Sequence, residues 1–402
     1  MYADRGTFTG DANSGPASAA SVGMGLVTLC IADALKLDGQ AEAKVILTLE
    51  SLNGKTAGFS PPVNRANGFF RHFFDMETGA GSGEYSSIDT GILVAGALFC
   101  KTYFRTERRI GELADALYLS IRWERAIADP EGGIYMVMDS LPAAVTRPFN
   151  EYMLVGWLAR NAAAAGSAAE QAWLNSYGRP EGLPHIRYGG VELLTDHPSH
   201  YLPGFTIQFP YYLVHAFAAD TAYLRLFRNH AEADRLWFRN QAAGPDYAWG
   251  TGAGSNVAGY TADRFDANPF KTVSPQIMAG FLPADPAGIR DDLGKLWESG
   301  LGRYAYGGAG ARQVLWRFSL ANPEWKAASL QGVDFSTEVF GLAAHPNVLG
   351  AGWFATYNDF AFPDRPNAVI GKAKRGKETG RNGYPARVDG RRSPVKTRRG
   401  AL

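Results

Sequence analysis

Apolar residues recur along most of this chain at the three- and four-residue spacing of helices that bury one face. The first helical pattern begins at Gly15 and Pro16 and runs to Leu37, and a second follows at once and ends at Gly54. Further helix-length patterns occupy residues 88–104, 107–128, 150–166, 168–178, 220–244, 274–283 and 286–300. Clear strand patterns are few. The sequence therefore predicts roughly ten helices and the all-α fold class.

The turns between these helical patterns are short, which favours pairs of antiparallel helices. A large domain of such pairs either stacks into an open solenoid or closes into a toroid. The chain has no fixed repeat period, which counts against the solenoid. Because no linker interrupts residues 1–365, we expect one domain over this range, built as a toroid of helical hairpins.

The loops between the helical patterns are rich in aromatic, glycine and charged residues. They cover residues 67–87, 131–151, 199–214, 244–270 and 302–316. Long loops of this kind usually carry function. Aromatic faces beside carboxylates and amides suit sugars, which stack their C–H faces on rings and hydrogen-bond through their hydroxyls. These loops favour a polysaccharide or oligosaccharide substrate.

Composition is that of a globular protein, with 46% hydrophobic and 20% charged residues. Cys30 and Cys100 lie in apolar helical patterns, so we expect buried free thiols rather than a disulfide framework. No apolar run is long enough to span a bilayer, and the first residues lack the basic flank and apolar block of a signal peptide. Export is therefore not indicated. A periplasmic or secreted location would require a trimmed start, and the cytoplasm is the alternative.

The net charge of +1 conceals a basic C-terminal segment. Residues 366–402 carry eleven Lys or Arg against Glu378 and Asp389, a net charge of +9, which leaves about −8 on the remainder. A segment with so few large apolar residues cannot offset the entropy of ordering, so we expect a disordered tail. The tail either contacts an anionic surface or is a solvated terminus. For residues 1–365 we expect a monomer with no nucleic-acid partner.

Glycoside hydrolysis by the usual route needs one protonated and one ionised carboxyl group. Glu151 follows Asn150, a good N-cap residue, so it could simply be a first-turn acid that interacts with the helix dipole. Its neighbours Phe149, Tyr152 and Trp157 could instead desolvate the carboxyl group and raise its pKa toward that of a general acid.

Two further acids lie in the stretch "EYSSID". Asp89 fits a capping-box variant, in which its side chain returns to the backbone amide of Ser86. Capping does not explain Glu84, which precedes the helical pattern in a glycine-flanked loop. Upstream, His72 and Asp75 in "FFRHFFD" are either a hydrogen-bonded structural pair or sugar ligands.

Two motifs have residues typical of metal or nucleotide sites but lack the necessary context. Asp196, His197 and His200 are close in sequence, but Pro198 prevents a regular helix and no second ligand cluster supports them. The glycines of residues 250–259 follow no strand and open no helix, unlike a phosphate-binding loop. We therefore expect no metal and no cofactor.

Six segments together resemble a known family: residues 17–26, 67–79, 84–104, 148–159, 247–254 and 332–342. They are similar, in order, to the glucoamylase-like family that includes the endo-β-1,2-glucanases of glycoside hydrolase family 144 and a domain of cyclic β-1,2-glucan synthases. The most specific matches are the second and third segments, which follow FFxHFxDMxTG-like and ExSxIDTxLLxAG patterns. The chain departs from the family after Trp249, where it is glycine-rich, and after Asp334, where an amide and a proline are missing.

The resemblance implies an (α/α)6 barrel with a sugar groove at one end. It implies a glycoside hydrolase or transglycosylase acting on a β-glucan, with a β-1,2 linkage favoured. Another polysaccharide on the same barrel, or carbohydrate binding without catalysis, are the alternatives. The residues implied to be catalytic are Glu151, Glu84 and Asp89, with the choice of base or nucleophile between the last two left open. The residues expected to bind substrate are His72, Asp75, Trp249 and Asp334.

Overall fold

The computed structural model describes residues 2–8, 15–199, 201–241, 243–307 and 312–363. Helices dominate these residues, as the sequence predicts. The described α-helices are α1 (Ala19–Ala34), α2 (Ala41–Leu52), α3 (Ser87–Tyr103), α4 (Arg108–Ser120), α5 (Met153–Ala162), α6 (Ala168–Asn175), α7 (Phe205–Leu213), α8 (His215–Ala218), α9 (Thr221–Gln241), α10 (Pro275–Gly280), α11 (Pro286–Ser299), α12 (Gly332–Ala344) and α13 (Ala351–Tyr357).

The loops contain more strand than the sequence predicts. The described strands are β1 (Arg5–Thr7), β2 (Ala17–Ser18), β3 (Arg71–Phe74), β4 (Gly81–Tyr85), β5 (Ile134–Tyr135), β6 (Val145–Thr146), β7 (His185–Tyr188), β8 (Val191–Leu194), β9 (Ala253–Asn256), β10 (Gly259–Ala262), β11 (Thr272–Val273), β12 (Arg303–Tyr306), β13 (Arg312–Leu315), β14 (Phe318–Ser319) and β15 (Ser329–Gln331). They form small antiparallel sheets: β2–β3–β4, β1–β15, β5–β6, β7–β8, β9–β10, β11–β14 and β12–β13. Strands this short lack the long alternating pattern that identifies a strand in sequence.

The helices pack in sequential pairs. These pairs are α1 with α2, α3 with α4, α5 with α6, α7 with α9, α10 with α11, and α12 with α13. The first member of each pair also contacts the first member of the next: α1 contacts α3, α3 contacts α5, α5 contacts α7, α7 contacts α10, and α10 contacts α12. Helix α12 returns to α1. This closed series of contacts is consistent with the predicted toroid.

The helices α1 and α3 cross closely because glycines face each other at the contact. A Cβ atom added to Gly96 would collide with the backbone carbonyl of Gly23, and one added to Gly23 would collide with the carbonyl of Ile92. Neighbouring side chains such as Val27 and Leu93 are fully buried. Glycine here permits backbone-to-backbone packing that no other residue allows.

We expect Gly96→Ala to lower the free energy of unfolding by at least about 1–3 kcal/mol, the usual cost of overpacking. The obstruction is a helix backbone, which cannot move aside as a flexible side chain would. Gly294→Ala is the matched control, since this glycine of α11 has open space around its Cβ position and alanine favours a helix. Urea unfolding of both variants checks the prediction, and a Gly96→Ala protein as stable as the parent would contradict it.

Two helices of this closed series, α7 and α12, were not predicted. Residues 199–214 were expected to be a loop, but they contain α7, in which Pro210 lies within the helix. Residues 332–344 form α12, although their pattern was not assigned to a helix. Aromatic residues and a proline obscured the helical periodicity of the first segment. Burial of α7 among other helices supplies the stability that its propensity lacks.

Three other predictions concern the chain as a whole. Cys30 and Cys100 are buried free thiols, as expected, with their sulfur atoms 3.4 Å apart. Among the described residues, every helix is too short or too polar to cross a membrane. The basic segment 366–402 lies outside the described residues, so its expected disorder stays a prediction.

Candidate active site

The predicted acids gather where α3, α5 and α12 begin. Asp89 lies in the first turn of α3, Asp334 lies in the first turn of α12, and Glu151 lies just before α5. Asp89 is close enough to Glu151 for its charge to raise the pKa of Glu151. We call Glu84, Asp89 and Glu151 the acid cluster.

The β3–β4 hairpin brings His72 and Glu84 together. Arg71 pairs with Tyr85 across the hairpin, and the Arg71 guanidinium lies 3.9 Å from the centre of the Tyr85 ring. This arrangement sets the His72 Nδ1 atom 3.0 Å from Glu84 Oε1. The His72 ring also stacks on Phe73, with 3.9 Å between ring centres. The imidazole is therefore held in a fixed orientation.

His72 also links the hairpin to α3. Its Nε2 atom lies 3.6 Å from Asp89 Oδ1, so the ring stands between two carboxylates. A protonated imidazole has two N–H donors and could direct one toward each acid. The structure does not show the alternative of a hydrogen-bonded His72–Asp75 pair, because the histidine interacts with both acids of "EYSSID" instead.

Asp89 is part of the N-terminal cap of α3. The Ser86 hydroxyl accepts a hydrogen bond from the Asp89 backbone N–H at 3.2 Å and donates one to the Asp89 carboxylate. The expected return to the Ser86 amide does not occur, because that N–H donates to the carbonyl of Phe70. Burial raises the pKa of Asp89, while the His72 charge and the Ser86 hydrogen bond oppose that shift. Asp89 is thus both a capping residue and a member of the acid cluster.

Glu151 lies in a turn rather than in the first turn of a helix. The Asn150 side chain accepts a hydrogen bond from the Tyr152 backbone N–H at 3.0 Å and so shapes the turn before α5. Burial raises the pKa of Glu151 to about 7, and the charges of Asp196 and Asp89 add to this shift. The residue as a whole is only partly buried. Its carboxyl group therefore holds a proton to higher pH than an exposed glutamate does.

The cluster therefore contains carboxyl groups in different protonation states. Burial alone would raise the pKa of Glu84, but a backbone hydrogen bond, His72 and Arg71 together bring it below its ordinary value. Glu84 is thus ionised at a pH where Glu151 holds a proton. A protonated acid close to an ionised one can donate a proton on one side of a bond and activate water, or attack, on the other.

A second group of residues lies beside the acid cluster. Tyr260 donates a hydrogen bond to Asp334 Oδ2 at 3.1 Å. Burial raises the pKa of Asp334 to about 6, with the nearby Arg317 charge lowering it and Asp4 raising it. Asp4 also raises the pKa of Asp89, so it is close enough to interact with both Asp334 and the acid cluster. The predicted site residue Asp334 therefore belongs to the same region.

The structure corrects the expected role of Trp249. Its ring is completely buried, its Nε1 atom donates to Asp292 at 2.9 Å, and the Arg235 guanidinium lies 5.1 Å from the ring centre. A ring enclosed in this way presents no face to a sugar. The prediction that Trp249 binds substrate is wrong, because the resemblance identified the motif but not the exposure of its ring.

Asp75 has a structural explanation. Its Oδ1 atom accepts hydrogen bonds from the Thr78 backbone N–H, the Thr78 hydroxyl and the Glu77 N–H, at 2.8, 2.8 and 3.1 Å. These bonds lower its pKa and stabilise the turn between β3 and β4. The side chain is exposed. Asp75 therefore holds the shape of the hairpin that carries His72 and Glu84.

Sequence reasoning missed two residues next to Glu151. Asp196 follows β8, and the Thr195 carbonyl accepts a hydrogen bond from the Phe149 N–H at 3.3 Å, which brings this segment to Glu151. The Tyr177 hydroxyl is buried without a hydrogen-bond partner among the described residues, and the Glu151 charge helps to raise its pKa. The neighbouring histidines and proline drew attention to metal binding at Asp196, and nothing in the sequence marks Tyr177.

No group of three or more His, Cys, Asp or Glu residues in the described part of the chain is arranged to hold a metal ion. His200 of the "TDHPSH" motif lies outside that part. In the glycine-rich loop, a Cβ atom on Gly252 would lie 2.6 Å from the Ile277 side chain, and one on Gly254 would lie 2.6 Å from Arg317 Nη1. Close packing therefore accounts for these glycines.

Solved structures of known proteins share this fold. A glucoamylase-like protein of Bacteroides uniformis matches with a TM-score of 0.72 and 16% identity, over 89% of this chain and 87% of its own. An endo-β-1,2-glucanase from Chitinophaga pinensis, solved with sophorotriose and glucose, matches with a TM-score of 0.69 and 16% identity, over 89% of this chain and 91% of its own. An endo-β-1,2-glucanase from Talaromyces funiculosus, solved with sophorose, matches with a TM-score of 0.61 and 13% identity, over 88% of this chain and 79% of its own. No protein-family model and no curated protein matches the sequence.

Proposed function

We propose that this protein is a glycoside hydrolase that cleaves a β-glucan, with β-1,2-glucan as the favoured substrate, on an (α/α)6 barrel. The observation that carries the proposal is the geometry of the acid cluster, in which His72 lies 3.0 Å from Glu84 and 3.6 Å from Asp89, and Asp89 lies close to Glu151. The pKa of Glu151 is raised to about 7, while that of Glu84 is below its ordinary value. Glycoside hydrolysis needs this combination of a proton donor and an ionised carboxylate.

Each residue of the cluster has a role in this proposal. Glu151 donates its proton to the leaving glycosidic oxygen. Glu84 or Asp89 acts as the base that activates water, or as the nucleophile. His72 contacts both of these acids and orients them. If a sugar hydroxyl takes the place of water, the same cluster transfers the glycosyl group to another sugar.

The fold supports this proposal. The closed series of contacts from α1 through α12 fits six helical hairpins arranged as a barrel. Two of the proteins with the same fold are called endo-β-1,2-glucanases, and their structures contain sophorotriose with glucose, and sophorose. At 13–16% identity the shared fold alone does not fix the substrate, which is why the linkage is part of the proposal.

The direct test is incubation of the full chain with linear glucans of β-1,2, β-1,3, β-1,4 and β-1,6 linkage, followed by chromatography of the products. Short oligomers from the β-1,2-glucan, with little product from the others, are expected. Cleavage of a glucan with another linkage would change the proposed substrate but leave the proposed roles of the acids in place. Binding without cleavage of any glucan would contradict the hydrolase and support a carbohydrate-binding protein.

The pKa of Glu151 predicts how hydrolysis depends on pH. A proton donor works only while protonated, so kcat/KM should fall about tenfold per pH unit above about 7. The fall in kcat/KM at low pH reflects protonation of the base. The pH at which it is half complete lies below 4.5 if the base is Glu84 and above 3.8 if the base is Asp89, given the directions of their pKa shifts. Initial rates from pH 3 to 10 check this, and a rate unchanged up to pH 10 would contradict the role of Glu151.

A further inference from the structure

An exposed tyrosine lies at the edge of the candidate site. Tyr260 belongs to the β9–β10 hairpin and keeps 55% of its surface exposed. Its hydroxyl reaches Asp334, whose side chain is buried at 4% exposure. The polar end of this side chain is thus fixed in the protein, while much of the ring remains open to solvent.

The hairpin that carries Tyr260 is anchored on buried charges. Arg317 is completely buried and forms an ion pair with Asp263, which directly follows β10. On the other strand, the Ser255 N–H donates to Gln331 Oε1 at 3.3 Å, and Gln331 immediately precedes α12. The β9 strand is therefore tied to the start of the helix that holds Asp334, and the end of β10 is tied to the buried Arg317. The ring of Tyr260 is positioned by these contacts.

Asp4 places this tyrosine next to the acid cluster. The Asp4 carbonyl accepts a hydrogen bond from the Gly332 N–H at 2.7 Å, at the start of α12. Its own N–H donates to the carbonyl of Pro16 at 2.8 Å, just before β2 of the sheet that carries His72 and Glu84. Asp4 thus bridges the Tyr260 side of the site and the hairpin side.

We propose that Tyr260 forms a subsite for a neutral pyranose ring, which stacks on the exposed face of the tyrosine beside Asp334. This inference rests on the proposed function, because the bound sugar belongs to the glucan whose scissile bond lies at the acid cluster. Pyranose rings present C–H faces to aromatic rings and hydroxyls to carboxylates. The carboxylates of Asp4, Asp334, Glu84 and Asp89 disfavour uronates or sulfated sugars, so the ligand is uncharged.

Binding to the full chain carrying Glu151→Gln, which removes the proposed proton donor, tests the subsite by calorimetry. The probes are a β-1,2-linked glucose disaccharide and a decasaccharide. Tyr260→Ala should weaken binding of the decasaccharide about three- to tenfold, in line with the loss of one aromatic contact. Binding of the disaccharide, which can occupy the acid cluster alone, should change less than twofold. Tyr260→Phe and Tyr260→Trp keep an aromatic face and should keep the affinity.

Trp297→Ala is the matched control, because Trp297 is also exposed but lies on α11 and contacts Arg303. It should leave both affinities unchanged. Equal decasaccharide affinity for Tyr260→Ala and its parent would overturn the subsite while leaving the proposed function intact. Equal losses in Tyr260→Phe and Tyr260→Ala would overturn it too, since the hydroxyl rather than the ring would then matter. If the parent binds no β-glucan of either length, the subsite and the proposed function both fail.

Discussion

Glu151→Gln is expected to lower kcat for β-glucan hydrolysis about 10²- to 10⁴-fold, the usual contribution of general acid catalysis. Glutamine preserves the volume and the polar character of the side chain but has no acidic proton to give to the leaving oxygen. The variant should also lack the fall in rate above about pH 7 that is expected of the parent. Glu298→Gln, on the exposed surface of α11, is the matched control and should keep full activity.

The same substitution should stabilise the fold at alkaline pH. The pKa of Glu151 rises from 4.5 in the unfolded chain to about 7 in the folded protein. A shift of this size makes the parent about 3 kcal/mol less stable above pH 7 than at low pH, because the folded state resists ionisation. Glutamine does not ionise, so the stability gained by the variant should grow between about pH 4.5 and 7.

Unfolding in urea at pH 4 and pH 8, paired with turnover on the same preparations, checks both effects. A structural acid at the start of α5 would behave differently: its replacement would cost stability and leave turnover per folded molecule unchanged. A folded Glu151→Gln protein with near-normal turnover would therefore remove Glu151 from the mechanism. A stability difference that does not change with pH would mean that the carboxyl group is better solvated than the geometry indicates.

The sequence predicted the helices with clear periodicity and short turns well. The patterns at 16–37 and 88–104 correspond to α1 and α3, and Gly54 ends the segment of α2. It failed at α7 and α12, whose aromatic and polar residues are buried by neighbouring helices rather than arranged on one apolar face. Tertiary burial overrides local propensity at such positions. The closing contact between α12 and α1 joins the two ends of the described chain, and no local pattern can predict it.

Motif resemblance and local chemistry predicted part of the candidate site. They selected Glu84, Asp89 and Glu151, which the fold brings together from a hairpin, a helix start and a turn. They did not distinguish Trp249, which is buried, from Tyr260, which is exposed in the same loop region. Exposure is a property of the folded surface, and both residues are aromatic neighbours of glycine in the sequence. Asp196 likewise comes close to Glu151 only because its segment packs against residue 149 in the folded chain.

The last prediction concerns the two acids that His72 contacts. Asp89→Asn and Glu84→Gln should each unfold within a few degrees of the parent, while at least one should lose most β-glucan hydrolysis. An asparagine at position 89 can still accept the Ser86 hydroxyl hydrogen bond, so the loss of capping should cost no more than about 0.5–2 kcal/mol. Each amide removes the negative charge that a base or nucleophile must supply.

Asp75→Asn provides the control within the same hairpin, since its side chain stabilises a turn and is exposed. It should lower the melting temperature slightly and leave turnover per folded molecule unchanged, which is the reverse of the effect expected at Glu84 and Asp89. Replacement of either cluster acid should also relieve repulsion between neighbouring carboxylates, so a small gain in stability is consistent with a catalytic position. Melting curves and product assays on the same preparations separate the two behaviours. If both Glu84→Gln and Asp89→Asn hydrolyse β-glucan at the rate of the parent, "EYSSID" is a helix entry alone and the base lies elsewhere.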